Sequence, residues 1–501
     1  MDRMNEARLS RRMLLRASAA TAATLAVSAD RLSARTAGRA AQATPQATPQ
    51  ATPVVADRGV LFAELDAFVE RRMVELKIPG VAVGVIVDGE EHAAGFGVTN
   101  LDHPLPVDAE TLFQIGSTTK TVTATATMRL VERGDLDLEA PVRTYLPDFR
   151  VADETTSAEV RLRHLLTHTA GWYGDDFTET GDGDDALARY VAEMADLPQI
   201  FPLGAFFSYN NAAVVTLGRV IEVATGQTYE AAIGELVLDP LGMDRSFFFA
   251  EEIMTEAFAV GHGAPPDDPL GTPATVSPWA IARASNPPGG VISDIGDQLR
   301  YARFHLGDGT WEGQPLLRPE TMRRMQEPMG PGGSFGTSAL DGVGALWLLS
   351  TVGGAKVVAH GGSTYGQQSA FVLVPERGFG VTVLTNADRG AVLGEEVANW
   401  ALDRFLGLRQ APPTTRPTPP EALADYAGAY DLGAGEQIVV EAGGGALTGT
   451  VQGQGLEFEW VGGDRFLTGL MGLSLLVDFV RDETGRVGWV RFSGRMFARV
   501  A

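Results

Sequence analysis

The stretch Leu112-Phe113-Gln114-Ile115-Gly116-Ser117-Thr118-Thr119-Lys120 joins an apolar run to the start of a predicted helix. The apolar residues that follow recur at helical spacing, at Val122, Ala126 and Leu130. Because residues i and i+3 share one helix face, Ser117 and Lys120 lie one turn apart, beside unpaired backbone N–H groups and the positive end of the dipole. A serine beside an amine base is a candidate nucleophile pair, and the alternative is a helix-capping serine.

Lysine is rare in this chain, which draws attention to Lys120. The 40 Lys and Arg residues include three lysines, at Lys77, Lys120 and Lys356. Arginine keeps its proton in proteins, whereas a buried lysine amine can lose its proton and act as a base.

Length, composition and charge exclude several functions. The chain has 501 residues, 45% hydrophobic and 21% charged, which predicts a globular protein of two or three domains. Its formal charge of −23 repels phosphate backbones and anionic lipid, so we expect no nucleic-acid partner. The absence of cysteine excludes disulfides, thiolate metal sites and a cysteine nucleophile.

Residues 1–43 predict an export signal of the twin-arginine type. Arg11 and Arg12 precede a mildly apolar Ala/Thr stretch from Ala17 to Val27, followed by small residues suited to cleavage. That stretch is too short and too weakly apolar for a spanning helix, so we expect no stable membrane span. The sequence therefore predicts an exported protein (extracellular, periplasmic or cell-wall associated), with a basic tail as the alternative.

Two Pro-rich segments divide the remaining chain. Residues 44–57 repeat Ala-Thr-Pro-Gln, and residues 412–420 are dominated by proline and threonine. Neither segment has apolar content to bury, so both are predicted linkers. They leave residues 58–411 as a large domain and residues 421–501 as a smaller one with a separate core.

The large domain alternates between two periodicities. Helical spacing from Leu61 to Leu76 precedes a hairpin pattern from Val81 to Val98, which turns at Asp88-Gly89. Three later runs predict strands and a fourth predicts a helix: 356–360, 370–374, 380–384 and about 392–405. Consecutive hairpin-like strands indicate an antiparallel sheet flanked by helices.

The other two regions complete an α+β fold. The middle of the chain, from about 120 to 310, is punctuated by Gly and Pro and predicts a mainly helical insertion between early and late strands. Residues 421–501 contain short alternating runs separated by Gly-rich turns, which predict a small all-β, barrel-like domain.

Five motifs follow the Ser117–Lys120 pair in a fixed order. They are His164–Trp172 (HLLTHTAGW), Phe207–Asn211 (FSYNN), Pro240–Met243 (PLGM), Gly289–Ser293 (GGVIS) and His360–Gly362 (HGG). From about residue 60 to 406 the chain therefore resembles the serine β-lactamase and penicillin-binding-protein superfamily. The similarity is greatest to its branch of class C β-lactamases, D-peptidases and esterases. The resemblance implies a β-lactamase/transpeptidase-like sheet and no cofactor.

The resemblance also implies roles for individual residues. Ser117 would be the acylated nucleophile, Lys120 its base, and Tyr209 a proton shuttle to the leaving group and the deacylating water. Asn211 would hold the lysine and the substrate amide, and the backbone N–H groups of Ser117 and Ser363 would form the oxyanion hole. A phenol acts as a base at neutral pH only beside a cation such as protonated Lys120. Without the resemblance, Tyr209 also fits a core aromatic and Asn211 a helix cap.

The third motif departs from the pattern of many relatives. Where they carry Lys-Thr-Gly, this chain has His360-Gly361-Gly362, predicted to line the substrate. The cation and hydroxyl that hold the carboxylates of penicillins and D-alanyl-D-alanine termini are missing, which puts those activities in doubt. His360 is expected to hydrogen-bond the substrate or Tyr209, or to be structural.

The segment between the His164–Trp172 motif and Tyr209 is acidic. Its carboxylates belong to Asp175, Asp176, Glu179, Asp182, Asp184 and Asp185. The resemblance places this segment near the cleft entrance, where carboxylates would favour an ammonium group on the substrate. The alternative is a solvated loop far from the substrate.

Two further motifs carry less weight. Gly332–Gly336 matches the G-x-S-x-G elbow of α/β-hydrolases around Ser334, but it lacks the preceding strand and following helix that the elbow requires. His164 and His168 are four residues apart, as in a zinc-binding helix, but without the glutamate or third ligand of such a site. We therefore predict no metal site.

The sequence thus predicts a secreted serine hydrolase that forms an acyl-enzyme on Ser117. D-amino-acid peptides, small esters and β-lactams are candidate substrates, so the partner is a small molecule or short peptide. The alternative is a non-catalytic protein that uses the same cleft to bind cell-wall peptide or another partner. The oligomeric state stays open.

Overall fold

The computed structural model describes residues 57–500, apart from 266–267, 269–270, 418, 420–421 and 471–472. The predicted export signal at 1–43, and the 44–57 linker except Asp57, lie outside these residues. No helix within the described part of the chain has both the length and the apolar character needed to cross a membrane.

A seven-stranded antiparallel sheet forms the centre of the large domain. Its strands are β1 (Gly80–Val87), β2 (Glu90–Gly97), β3 (Gly342–Val343), β4 (Leu348–Val352), β5 (Ala355–Ser363), β6 (Gln368–Val374) and β7 (Phe379–Thr385). Their order across the sheet is β3-β4-β5-β6-β7-β1-β2, so the strands predicted early and late in the sequence meet between β7 and β1. The predicted antiparallel sheet is confirmed.

The large domain contains five longer helices. They are α1 (Arg58–Glu75), α2 (Thr119–Arg133), α3 (Asn211–Thr225), α4 (Ile295–Leu306) and α5 (Gly390–Leu406). Shorter helices are Glu154–Glu159, Leu162–Leu166, Ala186–Glu193, Tyr229–Ile233, Asp239–Leu241, Asn286–Gly289 and Pro319–Met325. Most lie between β2 and β3, which agrees with the predicted helical insertion.

Strand β1 shows how the sheet separates two cores. All eight of its residues are buried, as expected for a central strand covered on both faces. Val81, Val83 and Val85 join the core beneath α1 and α5. Ala82 and Ile86 point the other way, into the larger core that contains α2, α3 and α4.

The C-terminal residues form a closed, eight-stranded antiparallel barrel. Its strands are β8 (Gly428–Asp431), β9 (Gln437–Gly443), β10 (Ala446–Val451), β11 (Gln454–Gly462), β12 (Arg465–Leu470), β13 (Leu473–Arg481), β14 (Val487–Phe492) and β15 (Arg495–Val500). A short helix, Leu423–Tyr426, precedes them. Alternate side chains such as Phe458, Phe466 and Phe479 fill the interior, so the barrel encloses a packed core.

The barrel and the large domain share a buried interface. Tyr173 of the large domain belongs to the barrel core. The Trp489 indole donates to the carbonyl oxygen of Ile200 over 3.0 Å, and the backbone N–H of Ser334 donates to the Asp478 carboxylate over 2.7 Å. The boundary at 411/421 therefore marks a change of architecture, and independent folding of residues 58–411 stays a prediction.

Ending the chain at Ala411 tests that boundary. We expect residues 57–411 to keep their helical circular dichroism but to unfold at least ~5 °C below residues 57–501, because the apolar and polar interface is lost. Each kcal/mol is worth about 2–4 °C in a domain of about 150–250 residues and less in a larger one, so this shift corresponds to an interface worth more than about 1 kcal/mol. An unfolded fragment would contradict the boundary, and an unchanged Tm would show that the interface contributes nothing.

Candidate active site

Ser117 and Lys120 lie at the start of α2, as the spacing predicts. Gly116–Thr118 forms a single 3-10 turn, and α2 continues directly from it. Ser117 is half-buried, whereas the Lys120 side chain is completely buried. The Lys120 Nζ lies 2.9 Å from the Ser117 Oγ and donates to the Pro288 carbonyl oxygen over 2.7 Å. The Pro288 carbonyl thus holds the Lys120 amine next to the Ser117 hydroxyl.

Burial determines the protonation state of Lys120. Removal from water lowers the pKa of Lys120 well below its ordinary value, the Arg495 guanidinium lowers this pKa further, and Asp175 partly opposes both. A lysine with a lowered pKa is neutral at a lower pH than usual. The neutral amine can accept the proton that Ser117 releases.

Tyr209 lies beside this pair, in contact with the Lys120 amine, the Arg495 guanidinium and the His168 ring. Lys120 Nζ is 4.8 Å from the centre of the phenol ring, and Arg495 Cζ is 4.7 Å from it. The imidazole ring of His168 lies 4.5 Å from the phenol ring, centre to centre. Within the described structure the Tyr209 hydroxyl is buried without a hydrogen-bond partner. Burial raises the pKa of Tyr209, although Ser117 and Arg495 act in the opposite direction, so the phenol keeps its proton at neutral pH.

Asn211 contacts a different group from the one that the resemblance implies. Its side-chain amide donates to Asp175 over 2.7 Å, and the lysine is held by the Pro288 carbonyl instead. Asp175 in turn forms a buried ion pair of 3.0 Å with Arg495 of the barrel. Asn211 therefore belongs to a chain of contacts that connects the barrel to the site.

The third motif brings β5 against the nucleophile. A Cβ added to Gly362 would lie 1.9 Å from the Ile115 carbonyl oxygen and 2.7 Å from the Ser117 backbone nitrogen. A Cβ on Gly116, whose φ is +51°, would lie 2.6 Å from the Ser363 nitrogen. Both positions require glycine because two backbones touch there. The Ser363 nitrogen therefore lies against Gly116, the residue before Ser117, and the oxyanion hole stays a prediction.

His360 precedes these glycines on β5 and is completely buried. Its Nδ1 lies 2.6 Å from the Gly361 carbonyl oxygen, so this nitrogen donates a hydrogen and Nε2 is the acceptor in the neutral ring. Burial lowers the pKa of His360 to about 3, and Lys120 contributes in the same direction. The ring therefore stays neutral at physiological pH and supplies no cation in place of the missing lysine. The expected hydrogen bond from His360 to Tyr209 is not formed in the described structure.

His168 is a site residue that the sequence did not indicate. The helix Leu162–Leu166 ends before it, and its φ of +55° turns it away from the face that carries His164. The Asn210 backbone N–H donates to its Nδ1 over 3.1 Å, which leaves the hydrogen on Nε2. Across the described residues no three His, Asp or Glu side chains are grouped closely enough to hold a metal ion.

Ser334 lacks the setting of a nucleophile. It is completely buried on the short strand Gly333–Phe335, whose hairpin partner is Ser338–Leu340. No helix begins after it, so the match to the α/β-hydrolase elbow is accidental.

A cavity of about 530 Å³ lies near the site, and neither Ser117 nor Lys120 belongs to its lining. Gly289 and Gly290 line it directly after Pro288, whose carbonyl holds Lys120. Asp182 and Asp184 of the acidic segment also line it, and whether this cavity receives the substrate stays a prediction. The other residues of the wall include Gln114, Phe248, Phe249, Glu251, Trp279 and Arg283. Arg283 is engaged by Asp184 at 2.9 Å and Glu230 at 3.1 Å.

Known proteins resemble this chain in sequence and in fold. Residues 65–404 match the Beta-lactamase family model, close to the 60–406 predicted from the motifs. "Penicillin-binding protein 4" of Amycolatopsis lactamdurans is 33% identical over 362 residues, which cover 71% of this chain and 94% of that protein. "Esterase EstB" of Burkholderia gladioli is 38% identical over 221 residues, 41% of this chain and 55% of the esterase.

The structural similarity extends through the barrel. A crystal structure of SurE with D-Leu superimposes with a TM-score of 0.73 and 25% identity, covering 88% of this chain and all of that one (100%). The family match spans more than half of the chain, and the relatives include a penicillin-binding protein, an esterase and β-lactamases. The chain therefore belongs to the Beta-lactamase family and is a serine hydrolase of the β-lactamase-related type.

Proposed function

We propose that this chain is an exported hydrolase that forms an acyl-enzyme on Ser117 and cleaves ester or amide bonds, with a preference for substrates without a carboxylate. The observation that carries the proposal is the completely buried Lys120 amine, 2.9 Å from the Ser117 hydroxyl oxygen. A buried amine with a lowered pKa can take the serine proton, as a general base must.

Acylation then proceeds with Lys120 as the first base. The neutral amine accepts the Ser117 proton while Oγ bonds to the substrate carbonyl carbon. The N–H groups of Ser117 and Ser363 would stabilise the oxyanion. Tyr209, protonated at rest, would give its proton to the leaving group and recover one from Lys120. This assignment differs from the prediction that Tyr209 is a base beside protonated Lys120, because burial favours the neutral forms of both groups.

Deacylation reverses the proton transfers. Water attacks the ester carbon, its proton passes to the Lys120 and Tyr209 pair, and Ser117 Oγ leaves with a proton. The products are a free acid and the regenerated serine. The Tyr209 hydroxyl is suited to this relay because it lies close enough to the Ser117 side chain for that group to lower its pKa.

The charges around the site support the substrate preference. His360 is neutral, and Arg495 is paired with Asp175. The neighbouring cavity is lined by three carboxylates, of Asp182, Asp184 and Glu251, against the one guanidinium of Arg283, and this excess of negative charge favours neutral or positively charged groups there. Neutral esters and amides, and peptides with a free N-terminal D-residue, are therefore the proposed substrates.

Export rests on the Arg11-Arg12 pattern and the apolar stretch that follows it. Fractionation of the source cells checks it, and a protein confined to the cytoplasm would contradict it.

Replacing Ser117 by alanine tests the nucleophile. We expect turnover to fall below detection with an unchanged Tm, because the serine lies half-exposed at the cleft. Intact-mass analysis should show one fluorophosphonate adduct per chain in the wild type and none in Ser117→Ala. Ser334→Ala is the control and should still be labelled. A wild-type chain that forms no adduct would favour the binding-protein alternative.

Replacing Lys120 by arginine separates charge from basicity. We expect kcat/KM to fall by roughly 10²–10⁴, since arginine keeps its proton. Wild-type kcat/KM should decline as pH falls through the lowered pKa of Lys120, with apparent values that belong to the Lys120 and Tyr209 pair. Lys356→Arg, at the far end of β5, is the control and should behave as wild type. Near-normal rates in Lys120→Arg, or a wild-type rate flat down to about pH 4, would exclude an amine base.

A panel of substrates tests the proposed preference. The ratio kcat/KM should be higher for a p-nitrophenyl ester and a D-alanine anilide than for a cephalosporin and an acylated D-alanyl-D-alanine peptide. The reason is that the last two present a carboxylate to a site whose cations are paired or neutralised. Highest efficiency on the cephalosporin would overturn the preference but not the nucleophile.

A further inference from the structure

We propose that Arg495, at the start of barrel strand β15, is a positioning residue of the hydrolase site, setting the place and the charge environment of Tyr209 and Lys120. The inference rests on the proposed function of Ser117 and Lys120. It assigns to the barrel a part of the catalytic machinery.

The barrel reaches the site through the hairpin that joins β14 to β15. The Tyr209 backbone N–H donates to the Gly494 carbonyl oxygen over 2.9 Å, and the Met496 N–H donates to the Ser208 Oγ over 3.1 Å. The Gly494 backbone has a φ of +76° and leaves no room for a side chain, since a Cβ there would lie 2.2 Å from the Phe335 ring. The hairpin therefore fixes the segment that carries Tyr209.

The Arg495 guanidinium adds further contacts to those made by the hairpin. It lies over the Tyr209 ring at 4.7 Å, donates to Asp175 at 3.0 Å and 3.3 Å, and donates to the Ser493 carbonyl oxygen at 3.0 Å. The side chains of Arg495 and Asp175 are only 5% and 4% exposed. A pair so deeply buried is costly to desolvate and adds little net stability, which makes a purely structural reason weak. Asp175 also accepts the Asn211 amide, so Arg495 fixes two predicted site residues.

Four titratable side chains face Lys120 and Tyr209 from the surrounding strands and loops. The titratable neighbours are His168, Asp175, His360 and Arg495. Burial holds the pKa values of both histidines well below their ordinary value, so these rings carry no charge at neutral pH. Arg495 and Asp175 are then the charged neighbours, and they act in opposite directions. The arginine lowers the pKa of both Lys120 and Tyr209, and the aspartate raises both.

A second buried arginine of the barrel provides a matched control. Arg491 pairs with Asp478 at 2.6 Å and donates to the Phe207 carbonyl oxygen over 3.0 Å, so it supports the same interface. Its guanidinium lies over the Phe207 ring, at 5.9 Å. A loss of interface stability should therefore result from changing either arginine, whereas a change in the charge at Tyr209 should result from changing Arg495 alone.

The test measures the rate at which a fluorophosphonate labels Ser117 as a function of pH, in the full chain. The variants are Arg495→Met, Arg495→Lys, Asp175→Asn, the double variant Arg495→Met/Asp175→Asn, and Arg491→Met. On the acid side of the profile, Ser117 in Arg495→Met should be labelled roughly tenfold more slowly than in the wild type. Loss of the guanidinium raises the pKa of Lys120, so the acid limb, where the rate falls with decreasing pH, moves to higher pH. Asp175→Asn should move the limb to lower pH, and the double variant should return it towards wild type. Arg495→Lys, which keeps the charge, should keep the wild-type limb.

Steady-state hydrolysis of a p-nitrophenyl ester gives the second readout. Arg495→Met should lower kcat about tenfold or more with a smaller change in KM, and Arg491→Met should lower the Tm without moving either the limb or kcat. Each of three results would overturn the inference. They are an unchanged acid limb in Arg495→Met, a shift of the limb to higher pH in Asp175→Asn, and a shift in Arg491→Met as large as that in Arg495→Met. If Arg495→Met does not fold, the limbs of Arg495→Lys and Asp175→Asn decide. A wild-type chain that is not labelled at all would instead contradict the proposed function.

Discussion

The buried amine of Lys120 is the constraint on which the rest of the site depends. An isolated ammonium taken out of water costs several kcal/mol, and the pKa falls until the neutral form is favoured. The surroundings match a neutral amine: one carbonyl from Pro288, the face of the Tyr209 ring, and two histidines that carry no charge. The cation that does lie nearby, Arg495, is compensated by Asp175. In the proposed mechanism, Ser117, Lys120 and Tyr209 therefore exchange protons in an environment whose two nearby charges, Arg495 and Asp175, compensate each other.

The same environment explains why the missing Lys-Thr-Gly cation is not replaced. His360 occupies the position but is held neutral by burial and donates to the Gly361 carbonyl. Gly362, two residues later, lets the backbone of β5 come into contact with the backbone of Ile115 and Ser117, where a side chain would not fit. If the neighbouring cavity lined by Asp182, Asp184 and Trp279 selects the substrate, as proposed, catalysis and substrate selection use separate parts of the site.

The elements that the sequence predicts correctly are those whose own residues show a clear periodicity or a recognisable turn. The β1–β2 hairpin, strands β5 to β7 and helices α1 and α5 follow from periodicity and a two-residue turn, and the Ser117 to Lys120 spacing follows from one helical turn. The edge strand β3 and its neighbour β4 were not predicted, because β3 is two residues long and β4 follows a Gly-rich segment. Asp175 and Arg495 are 320 residues apart, and neither has a local pattern that distinguishes it from the many exposed acids and arginines of this chain. Only the packing of the barrel could bring them together.

The Asp175–Arg495 pair also restricts how the chain can be recombined. Breaking a buried ion pair by removing one partner costs about 3–5 kcal/mol, much of a domain's net stability. A barrel grafted from a relative without an arginine at the β14–β15 hairpin would leave Asp175 uncompensated in the interface. Chimeras that exchange the two domains would therefore need a compensating exchange at position 175. The buried ion pair therefore adds a requirement for one particular charged residue to the other contacts that join the barrel to the large domain.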